Sequence, residues 1–122
     1  MIQPEPVSAI VIVKNGARFL AEALSSIQRQ TLAPCETLVV DGGSTDGTAE
    51  IARSFPGVRY LLQPHGGISN AYNYGIEQAQ GELLAFLSYD DLWTPEKLAV
   101  QAGYLAAHPE CQYAVCRIRY FC

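Results

Sequence analysis

Apolar and polar positions along this chain fall into blocks that read strand, turn, helix, and then strand again. Val7 to Val13 (VSAIVIV) is a nearly continuous apolar run rich in β-branched residues, the pattern of a strand buried on both faces. Lys14-Asn15-Gly16 turns the chain, and from Arg18 to Gln30 the residues Phe19, Leu20, Ala23, Leu24 and Ile27 recur at helical spacing. Thr37 to Val40 predicts a second short strand ending on Asp41. Gly42-Gly43 makes the turn, and Ser44 or Thr45 is placed to cap a helix running to about Ser54, with Asp46 in its first turn. Pro56-Gly57 stops that helix, and Val58 to Leu62 predicts the third strand. Gly66-Gly67 opens a helix from about Ser69 to Gln80, with Gly81 suited to its left-handed C-terminal position. Leu83 to Leu87 predicts the fourth strand. Thr94-Pro95-Glu96 reads as a capped start for a last helix whose buried stripe is Leu98, Ala102 and Leu105, and whose end lies before Pro109. Tyr113 to Ile118 predicts a fifth strand.

Strands alternating with helices imply an α/β fold with a mostly parallel sheet and helices on both faces. In such sheets ligands bind outside the carboxyl ends of the strands. This rule selects Lys14 and Asn15, Asp41, Gln63 to Gly67, and Ser88 to Asp91 as the positions for chemistry.

Composition narrows the picture. The 122 residues fit one domain, the apolar fraction of 49% is enough for a buried core, and the charged fraction of 16% argues against disorder. A net charge of −4 with scattered Lys and Arg argues against a nucleic-acid partner. Cys35, Cys111, Cys116 and Cys122 form no C-x-x-C pair and the two His residues lack zinc spacing. They read as thiols in a reducing compartment, with a Cys111–Cys116 bridge as the alternative. Neither a signal peptide nor an apolar run of the ~20 residues needed to span a bilayer occurs. The expectation is a cytoplasmic chain, membrane-associated only through other regions or partners.

Each candidate has two readings. Asp41 ends an apolar strand before two glycines, so its carboxylate suits a base N–H or a ribose hydroxyl; equally, it suits the backbone N–H groups of its own turn. Asp90-Asp91 follows a hydrophobic strand. Two adjacent acids there suit a hard divalent cation shared with phosphate oxygens, or one of them caps the next helix. Gly66 to Asn70 leads into a helix N-terminus that favours an anion or a base edge, or is an ordinary glycine turn. His65 titrates near neutrality or is a surface residue. Lys14 reaches a phosphate or lies in a solvated turn. Tyr89 and Trp93 flank the acids and either stack on a ligand or pack inward, as do Tyr72 and Tyr74.

Together, VSAIVIVKNGARFLAEALSSIQRQT, ETLVVDGGSTDGTAEI, GGISNAYNYGIEQAQGELLAFL and YDDLWTPEKL resemble the family 2 glycosyltransferases, in order and spacing, over nearly the whole chain. The resemblance implies a GT-A (Rossmann-like nucleotide-diphospho-sugar transferase) fold, with residues 1–122 forming its N-terminal, nucleotide-sugar-binding portion. It implies that Val13, Lys14 and Asn15 line the nucleotide site, that Asp41 contacts the nucleoside, and that Gly67 to Asn70 lie beside base and ribose. Asp90, with Asp91, would belong to an acidic motif holding Mn²⁺ or Mg²⁺ against the diphosphate. The implied reaction is inverting transfer of a sugar from a nucleotide-sugar, a UDP-sugar in particular, to a hydroxyl of a carbohydrate or lipid-linked acceptor. Polysaccharide, glycan or glycolipid assembly is the implied setting.

Three departures from the family pattern matter. Ser88 stands where many relatives carry Asp, so the D-x-D-D motif becomes Ser88-Tyr89-Asp90-Asp91. The first strand ends Ile12-Val13-Lys14-Asn15 rather than in a Pro-Thr-Tyr-Asn-like run. Relatives continue for about another domain beyond position 122, and the general base and acceptor pocket are expected there, so no catalytic base is assigned. A non-catalytic nucleotide-binding or interaction module, or a fragment inactive alone, is the rival expectation. An uncovered sheet edge would favour self-association.

Overall fold

The computed structural model describes residues 3–120. The elements in chain order are β1 (Val7–Val13), α1 (Ala17–Gln28), β2 (Glu36–Asp41), α2 (Thr48–Ser54), β3 (Val58–Leu62), α3 (Ile68–Gln78), β4 (Leu83–Ser88) and α4 (Lys97–Ala107). The strands form one parallel sheet in the order β3-β2-β1-β4. The chain therefore winds outward from β1 to β3, then crosses back to place β4 on the other side of β1. The carboxyl ends of β1 and β4 flank the point where the winding reverses, which in open α/β sheets is where ligands bind.

β1 is apolar on both faces because both are covered. Ala9, Val11 and Val13 pack under Leu20, Ala23, Leu24 and Ile27 of α1 and Ala52 of α2. Val7, on the same face, packs with Leu98 and Ala102 of α4. Ile10, with Leu38 and Val40 of β2, packs under Ala71 of α3 on the opposite face. Alternation along each strand thus assigns α1, α2 and α4 to one layer and α3 to the other. Among the described residues, no helix is long and apolar enough to cross a membrane.

Several expected boundaries differ, and the reasons are tertiary. α2 starts at Thr48 behind Gly47, not at a Ser44 or Thr45 cap, because the Ser44 hydroxyl is engaged with Asp41 and Asn15. α4 starts at Lys97, beyond the expected Thr94 cap, and its Leu98 N–H is capped from afar by Gln30 Oε1 (3.0 Å). Gly81 is not the terminal residue of α3, which ends at Gln78; it is pressed against β1 instead. The expected strand Tyr113 to Ile118 is absent. That segment makes no ladder, and Tyr113, Val115 and Ile118 are each more than three-quarters exposed. A strand needs a neighbour for its N–H and C=O groups, and the segment has none among the described residues. Cys35, Cys111 and Cys116 are free thiols, so the Cys111–Cys116 bridge does not form; Cys122 lies outside the described residues.

Candidate functional site

Three loops leave the carboxyl ends of the strands and are fastened to one another. After β1, Asn15 takes a left-handed conformation (φ 53°) that aspartate and asparagine tolerate better than most residues. Its backbone N–H donates to Ser44 Oγ (2.7 Å), and its side-chain oxygen accepts from the Thr45 N–H (2.8 Å). The N-terminus of α1 has no cap of its own. It is served by the loop after β2: Thr48 Oγ1 accepts the Gly16 N–H (3.1 Å) and Asp46 Oδ2 the Ala17 N–H (3.1 Å). The Thr48 hydroxyl in turn donates to Asp46, and that hydrogen bond leads the causes holding the Asp46 carboxyl below the usual carboxylate range. The run Ser44-Thr45-Asp46-Gly47-Thr48 is therefore a brace between two loops.

Asp41, expected to face a nucleoside, is turned inward and wholly buried. Its Oδ1 accepts from the Gly43 N–H (3.0 Å), the Ser44 N–H (2.9 Å) and the Ser44 hydroxyl (2.6 Å), and its Oδ2 accepts from the Tyr60 hydroxyl. Four donors leave the carboxylate organising its own loop, the second of the two readings its position allowed. Burial, followed by the bond to Asp41, pushes the Tyr60 phenol up to about 12.

The loop after β3 joins through Gln63. Its N–H donates to Asp41 O (2.9 Å), and its side-chain Nε2 donates to the carbonyls of His65 (2.5 Å) and Gly67 (3.1 Å). Gly67 is the N-cap of α3 with φ 101°, a conformation glycine adopts without strain. Asn70 reaches back to the Gly66 carbonyl (2.7 Å). His65 is exposed, and its carbonyl is the part the structure uses. Sequence reasoning grouped Gln63 with the strand-end positions but gave it no role. The available signal was a polar residue directly after an apolar strand.

Asp90 and Asp91 follow β4, whose Ser88 is in register with Ile12 of β1. Asp90 and Asp91 are both exposed. The Asp91 N–H closes a turn on Ser88 O (3.0 Å), so the pair is held at the strand end and does not cap α4. The Asp90-Asp91 and Val13-Lys14-Asn15 ends are neighbours, whereas Asp41 lies two strand spacings from β4, about 10 Å. Lys14 is exposed; Val13 is buried, and its carbonyl accepts the Gly42 N–H (2.9 Å). The flanking aromatics pack inward: Tyr89 and Trp93 both lie against the α1 core, and the Lys97 ammonium sits over the Trp93 ring (4.3 Å). Tyr74 of α3 packs onto the cluster of Ile10, Leu38 and Val40, and Tyr72 meets Phe86 edge-on (5.3 Å).

Comparison with known proteins fits this geometry. The family described as Glycosyl transferase family 2 matches residues 8–122. An uncharacterized glycosyltransferase of Rickettsia typhi is 41% identical over 100 residues, covering 81% of this chain and 31% of the relative. Among solved structures, residues 1–349 of S. aureus TarS in complex with UDP-GlcNAc superpose with a TM-score of 0.76 at 30% identity, covering 85% of this chain and 32% of that TarS chain. The mannosyltransferase PcManGT from Pyrobaculum calidifontis, in complex with GDP-Man and Mn²⁺, gives 0.70 at 26% identity, covering 88% and 35%. The match thus spans about a third of the length of each of these matched chains.

Proposed function

The chain belongs to glycosyl transferase family 2, and from that premise we propose that its strand-end surface holds the nucleotide-sugar donor of an inverting transfer to a hydroxyl acceptor. The observation that carries this reading is the Asp90-Asp91 pair, held open at the β1–β4 reversal point beside the exposed Lys14. TarS with UDP-GlcNAc supports a UDP-linked donor, and PcManGT with GDP-Man and Mn²⁺ supports a divalent metal.

The acids fit such an ion, Mn²⁺ or Mg²⁺. No group of three or more His, Cys, Asp or Glu is placed to hold a metal among the described residues. Two carboxylates without a third ligand suit a hard cation that completes its shell with phosphate oxygens and water. When bound, the ion supplies neutralisation of charge on the departing diphosphate. Asp90 and Asp91 would hold it, Lys14 would meet phosphate oxygens, and the free N–H groups at the start of α3 would face the nucleoside side of the donor. The general base and the acceptor pocket belong outside the described residues in this reading. Polysaccharide, glycan or glycolipid assembly is the setting proposed.

Ser88 at the exposed end of β4, where many relatives carry Asp, favours a second reading: a nucleotide-binding module without transfer. Donor hydrolysis by the chain would exclude that second reading.

Titration calorimetry of UDP with Mn²⁺ tests the donor site. We expect Asp90→Asn to weaken binding roughly tenfold, equivalent to ~1.4 kcal/mol. Equal affinity in both proteins would remove Asp90 from the site.

A further inference from the structure

The strand-end surface contains a largely buried side chain, Gln63, whose amide oxygen reaches the surface without a partner among the described residues. Gln63 is 9% exposed. Its Nε2 donates to two backbone carbonyls, His65 O and Gly67 O, which fixes the orientation of the amide because carbonyls only accept. Its Oε1 therefore faces the other way, and no hydrogen bond reaches it from the described residues. A Cβ placed on Gly42 would lie 3.3 Å from this oxygen and 3.5 Å from Cβ and Cδ of Lys14. The missing side chain at Gly42 thus leaves open the space between an immobilised acceptor and the Lys14 stem.

We propose that Gln63 Oε1 accepts the ring N–H of the donor's nucleobase, making Gln63 the residue that determines base specificity. This rests on the donor-site reading above. The chemistry is selective because uracil (N3–H) and guanine (N1–H) present a donor on that edge, whereas cytosine presents an acceptor at N3. A fixed acceptor that a bound base covers with another acceptor is left unpaired and cut off from water, the situation in which hydrogen-bonding sites discriminate strongly. Asp41, the other acceptor nearby, is closed to this role by its four donors. Gln63 is a suitable substitute because its backbone N–H, bonded to Asp41 O, ties it to the same strand end.

The experiment titrates UDP, N3-methyl-UDP, GDP and CDP, each with Mn²⁺, into the full chain and into Gln63→Leu. For the wild type we expect UDP or GDP to bind at least about tenfold more tightly than CDP, and the stronger of the two identifies the base. With UDP as the stronger, blocking its N3–H with a methyl group costs at least about tenfold on the unaltered protein, which keeps the test valid should Gln63→Leu fail to fold. In folded Gln63→Leu the preference falls to within about twofold while CDP affinity holds. Wild-type protein binding UDP, N3-methyl-UDP, GDP and CDP alike overturns the role of Gln63 but leaves the donor site standing. A Gln63→Leu protein that keeps the preference does the same. Absence of binding by every nucleoside diphosphate overturns both.

Discussion

At the scale of single residues, the site is stiffened by hydrogen bonds between its loops and strands rather than by charge pairs. Tyr60 is the clearest case, because its hydroxyl is the sole donor to Asp41 Oδ2 among the described residues. Replacing it with Phe leaves a buried carboxylate oxygen unsatisfied, and we expect Tyr60→Phe to lose ~1–3 kcal/mol in urea unfolding at neutral pH. The pH dependence follows from the direction of the phenol's shift. The folded protein keeps the Tyr60 proton up to about 12, whereas the unfolded chain releases it near the ordinary value of 10.0. The stability it contributes is whole below pH 10 and falls as pH rises toward 12, so wild type should lose stability across that window more steeply than Tyr60→Phe. A parallel fall in both proteins would separate Tyr60 from the alkaline limb. Little of this was legible in the sequence. Asp41 was recognisable as a strand-end acid, but its partner Tyr60 reads as one more apolar-strand residue, and only the β2–β3 pairing brings the two together. Asp90 and Asp91 were more legible, since their placement follows from the apolar run that ends just before them.

At the scale of elements, all four strands and all four helices were legible from periodicity, and so was the end of α2 at Ser54, whereas the starts of α2 and α4 and the end of α3 were not. Periodicity reports which face is buried, whereas an end depends on groups from elsewhere: Thr48 and Asp46 serve α1, and Gln30 serves α4. Arg59 of β3 similarly donates to the last-turn carbonyl of Gln78 in α3 and pairs with Glu36 of β2 (3.9 Å). Glu36 in turn accepts from Ser8 Oγ (2.6 Å) and the Gln80 N–H (2.5 Å), closing the end of the sheet opposite the site. Two glycines in this region separate intrinsic propensity from packing. A Cβ on Gly75 of α3 would lie 2.9 Å from a methyl group of buried Ile10, and one on Gly81 would lie 2.6 Å from the backbone N of Ser8. Alanine in a helix interior is favoured over glycine by ~1 kcal/mol, which offsets part of the overpacking cost of ~1–3 kcal/mol at Gly75. Gly81 has no such compensation, and its neighbour is backbone that cannot swing aside. We therefore expect Gly81→Ala to lower the thermal midpoint more than Gly75→Ala. The reverse order would show that β1 yields at Ser8 more easily than the core yields at Ile10.

At the scale of the whole molecule, both edges of the sheet are open among the described residues, and the β4 edge is the more apolar. β3 is paired only to β2, and β4 only to β1. Leu84 and Phe86 of β4, on the face that carries α3, are 37% and 38% exposed. Beyond α4, Tyr113, Val115, Ile118 and Tyr120 stand almost fully in solvent. An apolar strand with a free row of N–H and C=O groups is a template for further pairing, and no Lys, Pro or bulge within β4 discourages it. The expectation of a fifth strand at Tyr113 to Ile118 failed for the same reason this edge is exposed: the residue pattern identifies a sequence able to pair, and only a partner makes it a strand. We expect the chain to associate reversibly, with light-scattering mass rising over a tenfold concentration series. Leu84→Lys, which places a charge beside the β4 edge while leaving the strand-end loops untouched, should shift that rise to roughly tenfold higher concentration. Unchanged UDP affinity in Leu84→Lys would show that association and donor binding use separate surfaces. A wild-type protein monomeric throughout the series would mean that β4 is protected by its twist and by the half-covered faces of Leu84 and Phe86, without a second chain.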